Sequence, residues 1–274
     1  MIRICIAGAT GWVGSSLVSA ISTAADLELV GAVARASAGT LLKELNSAYD
    51  GDVRIVGTVA EALEARPDVL IEYTTPSTAV EHALAALRQG VHVVVGTSGL
   101  DETDYEAMDA AAREHGVGVL VAGNFAISAV LLQRFAEMAA AHLPTWEVID
   151  YSGAKKPDAP SGTARELVRR VAAAARPEIP IPIEDTQGYP ASRGLTMHGT
   201  QVHSVRVPGF VIGVEVIFGR DDERLTLRYD GGSGAEPYVA GTLLAARRVG
   251  GLAGLQAGLD GILDAAQGAR APRP

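Results

Sequence analysis

A single cysteine, Cys5, leaves this 274-residue chain without an intrachain disulfide. It sits inside the apolar run Ile2–Ala7, a setting that favours a buried structural thiol over a nucleophile. Aromatic residues are scarce at 5%, charged residues make up 20% and hydrophobic ones 48%, a balance that suits a soluble globular enzyme. No apolar run approaches the roughly 20 residues of a membrane span. Residues 2–8 are too short, and too soon broken by glycine, for a signal peptide, so a cytoplasmic protein is expected. An excess of basic charge is also missing. Lys and Arg number 23 against 32 Asp and Glu, a net charge of −9, which argues against nonspecific nucleic-acid binding. A local basic pocket for a small anion remains open. No His/Cys/Asp cluster suggests a metal, and there is no repeat or low-complexity tract.

What is present is an alternation of short apolar runs with helical patterns, the mark of a doubly wound parallel sheet with helices on both faces. Strands are expected at Ile2–Ala7, Leu27–Val33, Val53–Val56, Asp68–Tyr73, Val91–Val95 and Val117–Ala122. Helices are expected through Val13–Ile21 and over Val59–Ala65, Ala79–Gln89 and Glu102–His115. After Asn124 the rhythm changes. A helix over Ser128–Ala141 leads to a strand at Trp146–Asp150, a polar loop at Tyr151–Ser161 and a helix over Gly162–Ala175. Residues 176–200, rich in proline and glycine, read as an irregular excursion. Three successive strands, Gln201–Val207, Val211–Phe218 and Arg224–Tyr229, point to an antiparallel or mixed sheet in a second, smaller α+β domain. The helix Pro237–Val249 is expected to pack back on the first domain, and residues 265–274 to form a frayed tail. The division expected is therefore 1–125 with about 236–264 in a first domain, and 126–235 in a second.

The turn Gly8-Ala-Thr10-Gly11-Trp12-Val13-Gly14 follows a strand and opens a helix. Glycines there permit a tight turn and close approach of backbone to pyrophosphate, whose charge the helix N-terminus favours. A glycine-rich βα turn without a ligand is the plainer alternative. Where an acidic residue would normally bind the ribose hydroxyls of NAD, after Val33, the chain has Ala34-Arg35-Ala36-Ser37. Loss of the carboxylate removes repulsion toward a 2′-phosphate, and Arg35 and Ser37 supply charge and a donor. NADPH is expected over NADH, with a solvated surface arginine as the alternative.

Several stretches together make the chain resemble 4-hydroxy-tetrahydrodipicolinate reductase (dihydrodipicolinate reductase) of bacterial lysine biosynthesis. They are Gly8–Gly14, Glu72-Tyr-Thr-Thr-Pro76, Gly96-Thr-Ser-Gly99, Ala122-Gly-Asn-Phe-Ala126, Lys156-Pro-Asp-Ala-Pro-Ser-Gly-Thr163 and Val202-His-Ser-Val-Arg206. The resemblance implies a dinucleotide-binding first domain, and a second domain that binds a small carboxylate and builds a homotetramer. It places Tyr73 and Thr74 near the adenosine and pyrophosphate end, Gly96, Thr97 and Ser98 beside the nicotinamide ribose, and Ala122, Asn124 and Phe125 beside the nicotinamide. Ser161, Gly162 and Thr163 open a helix and would cradle a substrate carboxylate, with Lys156 adding charge; an ordinary serine cap is the alternative.

The departure from that family lies just before the cradle. Its Glu-x-His-His-x-x-Lys pattern, in which a histidine donates the proton, reads Asp150-Tyr151-Ser152-Gly153-Ala154-Lys155-Lys156 here. A serine hydroxyl is a very poor general acid near neutral pH, and glycine offers no side chain. Lys156, Lys155 and Tyr151 are the remaining candidate donors. Ser152 and His203 are candidate substrate contacts, and His203 is either a replacement acid or a structural histidine. Three readings follow: a reductase of a C=N or conjugated C=C bond in a diverged cyclic imino or enamine carboxylate; the lysine-pathway enzyme itself, with one of those donors; or a silent NADPH-binding regulator.

Overall fold

The computed structural model describes residues 1–268. Its contacts divide the chain into two units, Met1–Ile127 together with the chain from Ala235 onward, and Ser128–Gly234. The first unit opens with β1 (Ile2–Ala7), α1 (Trp12–Ser22), β2 (Leu27–Val33), α2 (Leu42–Leu45), β3 (Ile55–Val56) and α3 (Val59–Leu63). It continues with β4 (Val69–Glu72), α4 (Pro76–Leu87), β5 (His92–Val95), α5 (Glu102–Glu114) and β6 (Gly118–Val121). Strands buried on both faces read as unbroken apolar runs, and all four residues of β4 and of β6 are buried. Helix starts are set locally. Thr58 caps α3, Pro76 occupies the first turn of α4, and Asp101 with Asp104 forms a reciprocal capping box at α5.

The chain then passes through α6 (Ile127–Ala140), β7 (Thr145–Ser152), α7 (Gly162–Ala174), β8 (Leu195–Met197), β9 (Thr200–Arg206), β10 (Ile212–Arg220) and β11 (Glu223–Gly231). It returns to the first unit as α8 (Glu236–Arg248), β12 (Gly254–Ala257) and α9 (Asp260–Gly268). The first sheet has seven strands in the order β12-β6-β5-β4-β1-β2-β3, every pairing parallel. This is the doubly wound, Rossmann-type order with one added edge strand, and its topological switch lies between β1 and β4. The second sheet, β11-β10-β7-β9-β8, is mixed: β7 and β9 run parallel and the other neighbours antiparallel.

Four expectations need correction. Tyr151 and Ser152 are not loop residues; β7 extends through them because β10 and β9 both supply partners, Gly213 and Val205 for Tyr151, Ile212 and Arg206 for Ser152. The excursion at 176–200 is not wholly irregular, since Leu195–Met197 pairs with β9. Residues 265–268 belong to α9 rather than to a frayed tail, and 269–274 lie outside the described residues. The strand β12 went unseen, and it completes the first sheet beside β6. Among the described residues no helix is long and apolar enough to cross a membrane. Cys5 is buried in β1, and that burial pushes its thiol up to about 12, which leaves it protonated near neutral pH.

Candidate functional site

The first unit gathers polar groups at the C-terminal ends of its parallel strands, where doubly wound sheets bind ligands. The turn after β1 is tied to its neighbour: the amides of Gly8 and Ala9 both donate to the Val33 carbonyl at the end of β2, at 2.9 and 3.2 Å. Gly8 has φ +87°, and a Cβ there would lie 2.4 Å from the Tyr73 carbonyl oxygen. A Cβ at Gly14 would lie 2.0 Å from the Gly8 carbonyl oxygen, so α1 closes on the turn only because both positions lack side chains. Gly11 caps α1 without a side chain, which leaves the first amides of that helix free for an anion. Thr10, Gly11 and Trp12 are exposed at the same end.

A cavity of about 280 Å³ lies beside this turn, lined by Trp12, Val13, Tyr73, Thr74, Pro76, Gly96, Thr97 and Ser98. Seven of these eight are residues that the glycine-rich turn or the family resemblance marked for a cofactor. Gly96 leaves room for Tyr73, whose ring carbon would lie 2.1 Å from a Cβ there. Tyr73 is fixed at its far end. Thr242 of α8 donates to the Tyr238 carbonyl at 2.8 Å, so the Tyr73 hydroxyl donates to Thr242 Oγ1, at 2.7 Å. Burial pushes the Tyr73 phenol well above the ordinary tyrosine value. The Trp12 ring meets Tyr238 edge-on at 5.6 Å, so α8 packs beside the glycine-rich turn.

Arg35 and Ser37 form a short helical turn just after β2. Arg35 is exposed and makes no ion pair among the described residues, which leaves its guanidinium available. Ala122 and Phe125 are buried beyond β6, the Phe125 ring 6.1 Å from that of Tyr73, and Asn124 Oδ1 accepts from the Ala126 amide at 2.8 Å. The sequence reading missed Glu72. Fully buried at the end of β4, its carboxylate accepts from the Thr74 amide at 3.1 Å and from the hydroxyls of Thr74 and Thr97, and His82 Nδ1 lies at 3.4 Å. It thereby joins the two strand-end loops that line the cavity. An acid closing the apolar run Val69–Glu72 was the available signal.

In the second unit β7 alternates strictly. Trp146, Val148, Asp150 and Ser152 are buried on one face, while Glu147, Ile149 and Tyr151 lie on the other. Tyr151 is therefore directed away from Ser152. Its hydroxyl donates to Glu215 at 3.2 Å, and Arg228 stacks 4.7 Å over its ring. Burial and then the Glu215 charge push its phenol up, a direction unsuited to donating a proton near neutral pH. His203 lies on that outer face too, 2.8 Å from Glu147, which also pairs with Arg193. Burial tends to raise the Glu147 carboxyl, but hydrogen bonds from Arg193 and His203 outweigh it and hold the carboxyl below the ordinary range. The structure thus separates Tyr151 and His203 from the residues around Ser161.

Those residues do come together at the start of α7. Ser161 caps the helix, its Oγ accepting from the Ala164 amide at 3.3 Å while its own amide donates to Asp150 at 2.8 Å. Gly162 is exposed and Thr163 half-buried in the first turn, where free amides and the helix dipole favour an anion. Lys156 pairs with Asp158 at 2.8 Å and holds that carboxyl below its ordinary value. Lys155 is exposed, with no ion pair among the described residues. The Ser152 hydroxyl is buried with no hydrogen-bond partner among the described residues, as are Asp150 Oδ1 and Arg206 Nε. Among the described residues no group of three or more His, Cys, Asp or Glu could hold a metal.

Comparison with known proteins bears on this geometry. Residues 2–125 match the family model "Dihydrodipicolinate reductase, N-terminus", and residues 128–263 match "Dihydrodipicolinate reductase, C-terminus". A 4-hydroxy-tetrahydrodipicolinate reductase of Desulfitobacterium hafniense is 37% identical over 265 residues, covering 96% of this chain and 99% of the relative. One from Bacillus velezensis is 36% identical over 264 residues, covering 96% and 98%. The dipicolinate-bound dihydrodipicolinate reductase of Paenisporosarcina sp. TG-14 superimposes with a TM-score of 0.84 at 30% identity, covering 96% of this chain and 99% of that one. With a Rossmann-type unit that fits a dinucleotide and a mixed-sheet unit carrying the Ser161–Thr163 helix start, the chain belongs to the dihydrodipicolinate reductase family of oxidoreductases.

Proposed function

We propose that this protein uses NADPH to reduce a C=N or conjugated C=C bond in a small cyclic imino or enamine carboxylate, and that its substrate differs from the one named for its relatives. The dinucleotide belongs to the first unit, with Gly8–Gly14 and the α1 amides on pyrophosphate and the unpaired Arg35, aided by Ser37, on a 2′-phosphate. Bound NADPH supplies a hydride. The second unit contributes Ser161, Gly162, Thr163 and Lys156 to hold the substrate's carboxylate. The observation that carries the diverged substrate is the fate of the acid. Ser152 and Gly153 stand at the paired-histidine positions, and the Ser152 hydroxyl is buried. Tyr151 and His203 are committed to the opposite face of their sheet. A substrate that arrives as an iminium needs none of these, because its nitrogen already carries the proton.

Likeness along nearly the whole chain, together with the retained Lys156, favours a second reading, the lysine-pathway reduction with Lys156 or Lys155 as donor. Steady-state assays separate the two. Turnover of 4-hydroxy-tetrahydrodipicolinate with NADPH at a rate normal for an enzyme refutes the diverged substrate. Turnover confined to other cyclic imines supports it. Tight NADPH binding with no oxidation by any cyclic imine would make the protein a dinucleotide-binding regulator. Assembly into a homotetramer through the second sheet belongs to the same proposal; its outer face carries Ile149, Val205 and Ile217 half-buried within one chain.

A further inference from the structure

The loop that carries Lys156 and runs into α7 is fastened at two points, and both fastenings lead to one buried ion pair. Asp150 is fully buried on β7, and its Oδ2 accepts from the Ser161 amide at 2.8 Å, from Arg206 Nη2 at 2.7 Å and from Ser204 Oγ at 3.3 Å. Arg206, at the end of β9, also donates to backbone through both terminal nitrogens: Nη1 reaches the carbonyls of Val205 at 2.9 Å and Asp150 at 3.2 Å, and Nη2 that of Asp158 at 2.8 Å. The ion pair thus holds residue 158 by its carbonyl and residue 161 by its amide. Asp158 is the residue whose carboxylate pairs with Lys156. Two positive groups available to a carboxylate, Lys156 and the first turn of α7, are therefore oriented from one place.

We propose that Asp150 and Arg206 are positioning residues for carboxylate recognition, acting through Ser161 and Asp158 without touching the ligand. A buried ion pair adds little net stability over apolar side chains of similar volume, so what this one supplies is direction. Guanidinium suits the task because its planar fork reaches a carboxylate and several carbonyls at once, which an ammonium cannot do. The proposal rests on the carboxylate reading of the α7 start, and the experiment distinguishes the two.

Dipicolinate is the probe, titrated calorimetrically against the full-length protein with NADPH present. Arg206→Met and Asp150→Asn are expected to weaken dipicolinate by about tenfold or more, since a small misplacement of binding groups is costly. They should raise KM more than they lower kcat and leave the NADPH Kd within about twofold. Hydrogen exchange of the 153–163 backbone should quicken in both variants without any ligand. Arg206→Lys keeps the charge and is the variant safest for folding; intermediate affinity is expected of it. A folded Arg206→Met with wild-type dipicolinate affinity overturns the positioning role. So does wild-type affinity in Arg206→Lys should the Met variant fail to fold. If the wild-type protein takes up no dicarboxylate while the 153–163 exchange still responds, the carboxylate reading is what fails, and the role built on it falls with it.

Discussion

Replacing Arg35 by alanine isolates the choice of dinucleotide. The side chain is exposed, forms no ion pair among the described residues and follows β2 as part of a three-residue turn held by backbone bonds, so its removal takes nothing from the core. Its whole effect should fall on the ligand. A hydrogen bond to a charged group contributes about 1.5–3 kcal/mol, and exposure to solvent places Arg35 near the lower end. At about 1.4 kcal/mol per decade, the expected loss is roughly tenfold in NADPH affinity. NADH has no 2′-phosphate, and its Kd should stay within about twofold. Fluorescence titration of both dinucleotides at low and high salt reads this directly. The gap between wild type and variant should narrow as salt rises, because charges in solvent are screened over about 8–10 Å at physiological ionic strength. Equal losses for the two dinucleotides, or none for either, would refute the assignment of Arg35 to the 2′-phosphate.

Two further outcomes follow from buried and half-buried groups. Ser152→Ala should leave thermal stability unchanged or raise it, since a buried hydroxyl without a partner carries a desolvation penalty of about 1–3 kcal/mol; a fall of several degrees in Tm would mean that the hydroxyl has a partner after all. Glu147 titrates below its unfolded value, so its contribution is fully present above the unfolded pKa and is lost as pH falls through the folded one. Because both side chains are about a third exposed and so screened by solvent, Glu147→Gln should cost only a few tenths to about 1 kcal/mol at pH 7. That difference should shrink in acid denaturation curves below the ordinary glutamate value and vanish once the folded carboxyl is protonated, and a difference that grows there would contradict the sign.

Much of the first unit could be read from sequence because a parallel sheet covered on both faces prints itself as short unbroken apolar runs. The lining of the cavity beside the glycine-rich turn came partly from that turn and partly from the family resemblance, and it lies at the C-terminal ends of the parallel strands, where doubly wound sheets bind ligands. The edge strand Gly254–Ala257 lacked that signal, being short and containing Gln256. The end of β7 was lost to its polarity. Tyr151 and Ser152 look like loop residues, yet partners on both sides keep them in the strand, and the alternation that places them on opposite faces follows only once they are strand residues. Asp150 and Arg206 meet across 56 residues of sequence, so no local pattern could have joined them.

The return of the chain as α8 and β12 has a consequence for how the molecule is made. The sheet begun by Ile2–Ala7 is closed at its edge by Gly254–Ala257, and the Tyr73 hydroxyl is anchored by Thr242. A nascent chain that has emerged as far as Ile127 holds the whole glycine-rich turn and every residue lining its cavity, yet lacks the helix that fixes Tyr73. The surroundings of Tyr73 are thus completed only after the intervening unit has been synthesised, and pairings of such long sequence separation form late because loop closure must come first. A fragment ending near residue 127 would keep the glycine-rich turn and its cavity without the contact that holds Tyr73 beside them.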